Sequence, residues 1–71
     1  MYTLVAQPYH CRHSEDAFKV ASFEKRHQAE KYLKDRWPDA DKEKDDEGVF
    51  WTMLVGDKLY EMYITSRWHQ N

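Results

Sequence analysis

Two imidazoles and a thiol stand within four positions in His10-Cys11-Arg12-His13. These are ligand types that zinc accepts, and a histidine beside a cysteine is also the pairing that activates a thiol nucleophile. A structural zinc site needs a tetrahedral set, normally delivered as two spaced pairs from separate segments. No second pair follows, because His27 and His69 each stand alone. A nucleophilic cysteine needs a base oriented by a third group in a pocket that excludes water, and a short polar turn supplies neither. The motif therefore reads as a surface thiol in a solvated turn, with no metal, cofactor or catalytic residue implied. Two glycines in the whole chain leave no phosphate-cradling loop, and no paired acids suggest a cleft, so an enzyme is not expected.

The second chemical feature is charge. Residues 38–47, Pro-Asp-Ala-Asp-Lys-Glu-Lys-Asp-Asp-Glu, hold six acids (Asp39, Asp41, Glu43, Asp45, Asp46, Glu47) against Lys42 and Lys44. The run has almost nothing apolar to bury and lies between Pro38 and Gly48, so it is expected to be an exposed connector that folding does not require. Clustered carboxylates could also mimic a phosphate backbone and occupy a basic groove on another protein. Calcium is disfavoured, because the alternating oxygen ligands, central glycine and distant glutamate of an EF-hand loop are absent.

Cations lie mainly elsewhere. Lys25, Arg26, Lys31, Lys34 and Arg36 fall in one segment, and with Phe50 and Tyr63 they suggest a single-stranded nucleic-acid reader that stacks bases on sheet aromatics. A net charge of −2 and the missing RNP-type consensus make nucleic acid the second choice.

The elements that would position these groups follow from periodicity. Residues 2–7 and 17–22 are short runs of strand formers flanking the polar turn. After Ser22, a good helix cap, Ala29, Tyr32, Leu33 and Trp37 recur at helical spacing, which predicts an amphipathic helix over about 23–37 ended by Pro38. Residues 49–55 and 59–66 form a hairpin about Gly56-Asp57. The chain is thus an α+β domain of ββαββ order, one unit over 1–71, with a small antiparallel sheet in strand order 2-1-3-4, the order 1-2-3-4 standing as the alternative, and one helix on one face.

Hairpin pairing sets Val55 opposite Lys58, Met53 opposite Tyr60, Trp51 opposite Met62 and Val49 opposite Ile64. That face is expected to meet the helix, completed by Phe18, Val20 and Trp68. The opposite face then carries Phe50, Leu54, Leu59 and Tyr63, with Arg67 beyond them, as an apolar patch large enough to mark an interaction site. The alternative is that Thr3 and Val5 of the first strand, or the tail Trp68-His69-Gln70-Asn71, fold over this face and hide it. Strand 59–66 is expected at the sheet edge, where it could pair with a second copy to give a homodimer.

One cysteine permits no internal disulfide, no apolar run approaches the ~20 residues of a membrane span, and the N-terminus lacks signal-peptide character. A cytoplasmic protein is expected. The plan of one helix on a small antiparallel sheet without a catalytic motif resembles that of several phage-encoded inhibitors, including some anti-CRISPR proteins. The resemblance is architectural and assigns no residue. It implies a non-enzymatic module that binds a host or defence protein by surface occlusion.

Overall fold

The computed structural model describes residues 1–9, 17–46 and 48–68. His10, Cys11 and His13, together with Glu47 and the tail residues His69, Gln70 and Asn71, lie outside the described residues. In chain order the elements are β1 (Tyr2–Pro8), β2 (Phe18–Phe23), α1 (Arg26–Arg36), β3 (Asp41–Asp45), β4 (Gly48–Val55) and β5 (Lys58–Thr65). The strands form one five-stranded antiparallel sheet in the order β2-β1-β5-β4-β3. The α+β class and the helix-on-sheet plan agree with the sequence reading. The strand count and order do not.

The acidic run is not a connector. Its Asp-Lys-Glu-Lys-Asp centre is β3, paired from Asp41 opposite Thr52 to Asp45 opposite Gly48. Pairing uses backbone groups only, and at a sheet edge side chains on both faces can stay hydrated, so a strand without apolar residues is permitted there. Its charges also discourage further strands from adding. The connection before it is short. Ala40 N–H donates to the Trp37 carbonyl at 3.0 Å, closing a turn with Pro38 in the second position.

This extra strand explains the order. β4 is tied to β3 through its opening residue, Gly48 (φ 130°), and to β5 through the turn at Gly56 (φ 68°), where Val55 stands opposite Lys58. Both φ values lie where glycine is favoured. β4 is then flanked by its sequence neighbours, β3 along Gly48 to Thr52 and β5 along Trp51 to Val55, and β1 can reach the hairpin only through β5. Hence β1 pairs with β5, from Thr3 opposite Thr65 to Pro8 opposite Tyr60. The strand expected at the edge is central, which removes the edge-to-edge homodimer through residues 59–66.

The helix also starts later than its propensity suggests. Ser22 is not a cap but part of β2, opposite Thr3, with the two hydroxyl oxygens 3.4 Å apart. Lys25 takes the cap position, and its N–H donates to the Gln28 side-chain oxygen at 3.1 Å. At the other end Trp37 N–H reaches the Leu33 carbonyl at 2.8 Å, with Lys34 and Arg36 in the last turn favouring the helix dipole.

The helix lies over β2, β1 and β5 and buries Ala29 and Leu33. Leu33 joins Leu4, Ala6, Trp51, Met53 and Met62 in one cluster, with Val49, Tyr60 and Ile64 packed around it. The expected core face of the hairpin is therefore the helix-facing one. Val20 joins this cluster at an irregularity in the β1–β2 register. Phe18 is only partly covered, edge-on to Tyr60 at 6.4 Å between ring centroids. Trp68 is partly buried but does not belong to the helix-side cluster, contrary to expectation. It follows the end of β5, so strand alternation does not hold it on the helix face.

Two outcomes check this fold. In hydrogen exchange, consecutive amides from Tyr60 to Tyr63 should all be protected, since this part of β5 bonds alternately to β4 and β1, whereas an edge strand would protect alternate amides only. Leu33→Ala should cost about 2–5 kcal/mol in chemical denaturation. A cost below about 1 kcal/mol would contradict the central place given to Leu33.

Candidate functional site

The sheet face away from the helix is built by strand parity. Cross-strand pairs give a row of Asp41, Thr52, Glu61 and Gln7 across four strands. On the same face Glu43 stands opposite Phe50 in the β3–β4 pair, and Tyr63, Val5 and Lys19 stand in line across β5, β1 and β2. Leu54 and Leu59 face each other at the hairpin end. The same parity sends Lys42 and Lys44 to the helix side, where the Lys42 ammonium sits 5.9 Å from the Trp51 ring centroid.

This face is not uniformly open. Over β1 and the middle of β5 it is interior: Thr3, Val5, Gln7 and Glu61 are all buried. Glu61 is 3% exposed and accepts a hydrogen bond from Gln7 Nε2 at 3.0 Å. A carboxylate this deep requires polar partners, and the Gln7 amide supplies one. The Gln7 Oε1 atom is shielded and has no hydrogen bond, and the Trp68 indole nitrogen is in the same condition. Tyr63 is half-buried beside this pair. Desolvation raises its phenol above the usual value of 10.0, and the nearby charge of Glu61 raises it further.

The open part lies toward the hairpin tip and β3. Leu54 is 67% exposed and Leu59 42%. Of the other residues singled out from the sequence, Phe50 is half-buried on the same face, and Arg67 is exposed past the end of β5, its N–H donating to Thr65 Oγ1 at 3.1 Å. Asp41 and Glu43 are exposed in β3, Asp39 in the preceding turn, and Asp46 beyond β3. The patch therefore divides into a half-buried part around Phe50 and Tyr63 and an open part around Leu54 and Leu59.

What the sequence reading missed is that the acidic run and the apolar patch share a face. The signal was the strict Asp-Lys-Glu-Lys-Asp alternation, which has the period of a strand. An open groove of about 440 Å³ also lies where the Trp37–Ala40 turn meets Asp41, Thr52, Leu54 and Leu59. The helix cations stand on the other side of the sheet and are partly engaged: Arg36 lies 5.0 Å from the Tyr32 ring centroid, and Arg26 is 3.7 Å from Glu30. Among the described residues no group of three or more His, Cys, Asp and Glu could hold a metal, and no helix is long and apolar enough to cross a membrane.

The Tyr63 environment has a measurable consequence. Its contribution to stability is fully present below about pH 10, where the unfolded phenol ionises, and is lost as pH rises through the higher folded value. Tyrosine-ring NMR titration should show Tyr63 ionising above 10.0, and Glu61→Gln should bring it closer to that value without reaching it, since burial is the larger cause. An unmoved titration in a folded Glu61→Gln protein would remove the assigned influence of Glu61. No protein-family model, curated protein or solved structure matches this chain.

Proposed function

We propose that this protein is a non-enzymatic binding module that acts by covering the surface of another protein with the sheet face opposite its helix. The observation that carries the reading is the placement of Asp41 and Glu43 on the same face as Phe50, Leu54 and Leu59, with Lys42 and Lys44 sent to the other side. Apolar side chains supply the burial that stabilises a protein interface, and a charged rim sets orientation and partner choice. A partner with cations around an apolar centre matches this pattern. Inhibition of a host or defence protein by occlusion, as the architectural resemblance implies, requires nothing more of the molecule.

The nucleic-acid reading loses support from the same placement. Phe50 stands opposite Glu43, so a base stacked there would bring its phosphates toward a carboxylate, while the helix cations lie behind the sheet.

Affinity capture from the native host lysate, compared across variants, tests the reading. Glu43→Lys, and separately Phe50→Ser with Tyr63→Ser, should each deplete the captured partner, while Lys34→Ala on the helix should not. For the aromatic pair the expected loss is about 2 kcal/mol of binding, provided melting shows the fold retained. If the aromatic variant unfolds, Glu43→Lys alone carries the test, because it alters an exposed side chain. Capture indifferent to Glu43→Lys would overturn the acidic-face reading. Saturable binding of single-stranded oligonucleotides that weakens steeply with salt would favour the nucleic-acid alternative.

A further inference from the structure

The groove beside the hairpin tip contains an unfinished strand edge. β3 pairs with β4 only as far as Asp41 opposite Thr52, while β4 continues through Met53 and Leu54 to Val55. In a hairpin where Val55 and Lys58 flank the turn, alternate residues of β4 bond to β5, and the residues between them point their amides the other way. Leu54 is one of these. The bond from Tyr9 N–H to the Leu59 carbonyl, 3.1 Å, confirms the phase: Leu59, opposite Leu54, spends its carbonyl on the β1 side. The Leu54 N–H and carbonyl therefore face the position residue 39 would hold if β3 began earlier. The turn closed between Trp37 and Ala40 diverts the chain from that position.

The walls define what can enter. Trp37, Pro38, Ala40, Leu54 and Leu59 offer apolar surface, and the volume of about 440 Å³ falls within the ~300–1,000 Å³ typical of ligand sites. Asp39 and Asp41 line the same groove, both exposed. Arg36, also on the lining, has its guanidinium over the Tyr32 ring. Resting on the reading of this face as a protein-binding surface, we infer that the groove takes an extended, basic segment of the partner, which adds to β4 in line with β3. Leu54 supplies the backbone hydrogen bonds, an apolar side chain fills the groove, and flanking cations meet Asp39 and Asp41. Main-chain bonds give affinity and alternate side chains give selectivity, the general logic of strand addition.

The probe is a short, end-blocked peptide of alternating valine and lysine, titrated into the protein and followed by amide NMR. Shifts should centre on Leu54, Trp37 and Asp41. Two versions, N-methylated at alternate residues in opposite phases, separate the backbone bonds from mere stickiness: one phase should bind about tenfold more weakly and the other should not. Asp39→Asn with Asp41→Asn should weaken binding by about fivefold, and alternating valine and glutamate should not bind. No shift at millimolar peptide, shifts away from Leu54, or equal loss in both phases overturns the inference. So does a chain that sediments as a dimer with Leu54 in the contact and refuses the peptide, since the occupant would then be a second copy. If peptide binding fails while partner capture still depends on Glu43, the groove falls and the wider face stands. If peptide binds but capture ignores Glu43, the reverse holds.

Discussion

Every strand has two edges, and the fold depends on how those of β4 are used. Gly48 and Gly56 hold positive φ at its two ends, which ties β4 to β3 on one side and β5 on the other. With β3 and β5 on the two sides of β4, the remaining places for β1 are the outer edges of β5 and of charged β3; β1 takes β5, so a strand from the first hairpin and a strand from the last become central neighbours. Their contact creates the helix-side packing of Leu4 and Ala6 with Met62, and on the opposite side it brings Gln7 to Glu61. The buried apolar cluster and the buried polar pair are two faces of one pairing.

The same edge arrangement sorts charge. A strand projects successive side chains to opposite faces, so an alternating run of acids and lysines is separated as soon as it pairs. In β3 that separation puts Asp41 and Glu43 beside the apolar hairpin face and leaves the Lys42 ammonium near Trp51. As a loop the run would present mixed charge in no fixed direction. As a strand it gives the two faces opposite character, and the acids outline the surface on which Leu54 and Leu59 remain exposed.

The far face also shows a limit to counting apolar residues. Phe50, Leu54, Leu59 and Tyr63 share parity, but their surroundings differ. Tyr63 sits opposite fully buried Val5 and close enough to Glu61 for its ionisation to be affected, whereas Leu54 lies where β3 has ended and its side chain stays in solvent. A shared face is therefore not a shared environment. Depth within it depends on which strands flank each position.

Local pattern alone determined the helix-on-sheet class, the turn at Gly56, the helix face of Ala29 and Leu33, and the hairpin face that became core. Each of these follows from periodicity or from a backbone angle within a few residues. The sequence also held the period of β3, but period without apolar content gives no burial by which to recognise a strand, so the run read as solvated chain. Which strand lies beside β1 was beyond local pattern, because residues 49–55 and 59–66 carry equally good apolar alternation. Only the tertiary structure decided it, through the occupation of both β4 edges. That one decision made β5 central and buried Glu61 against Gln7. Edge occupancy is a property of the whole sheet, and no single segment encodes it.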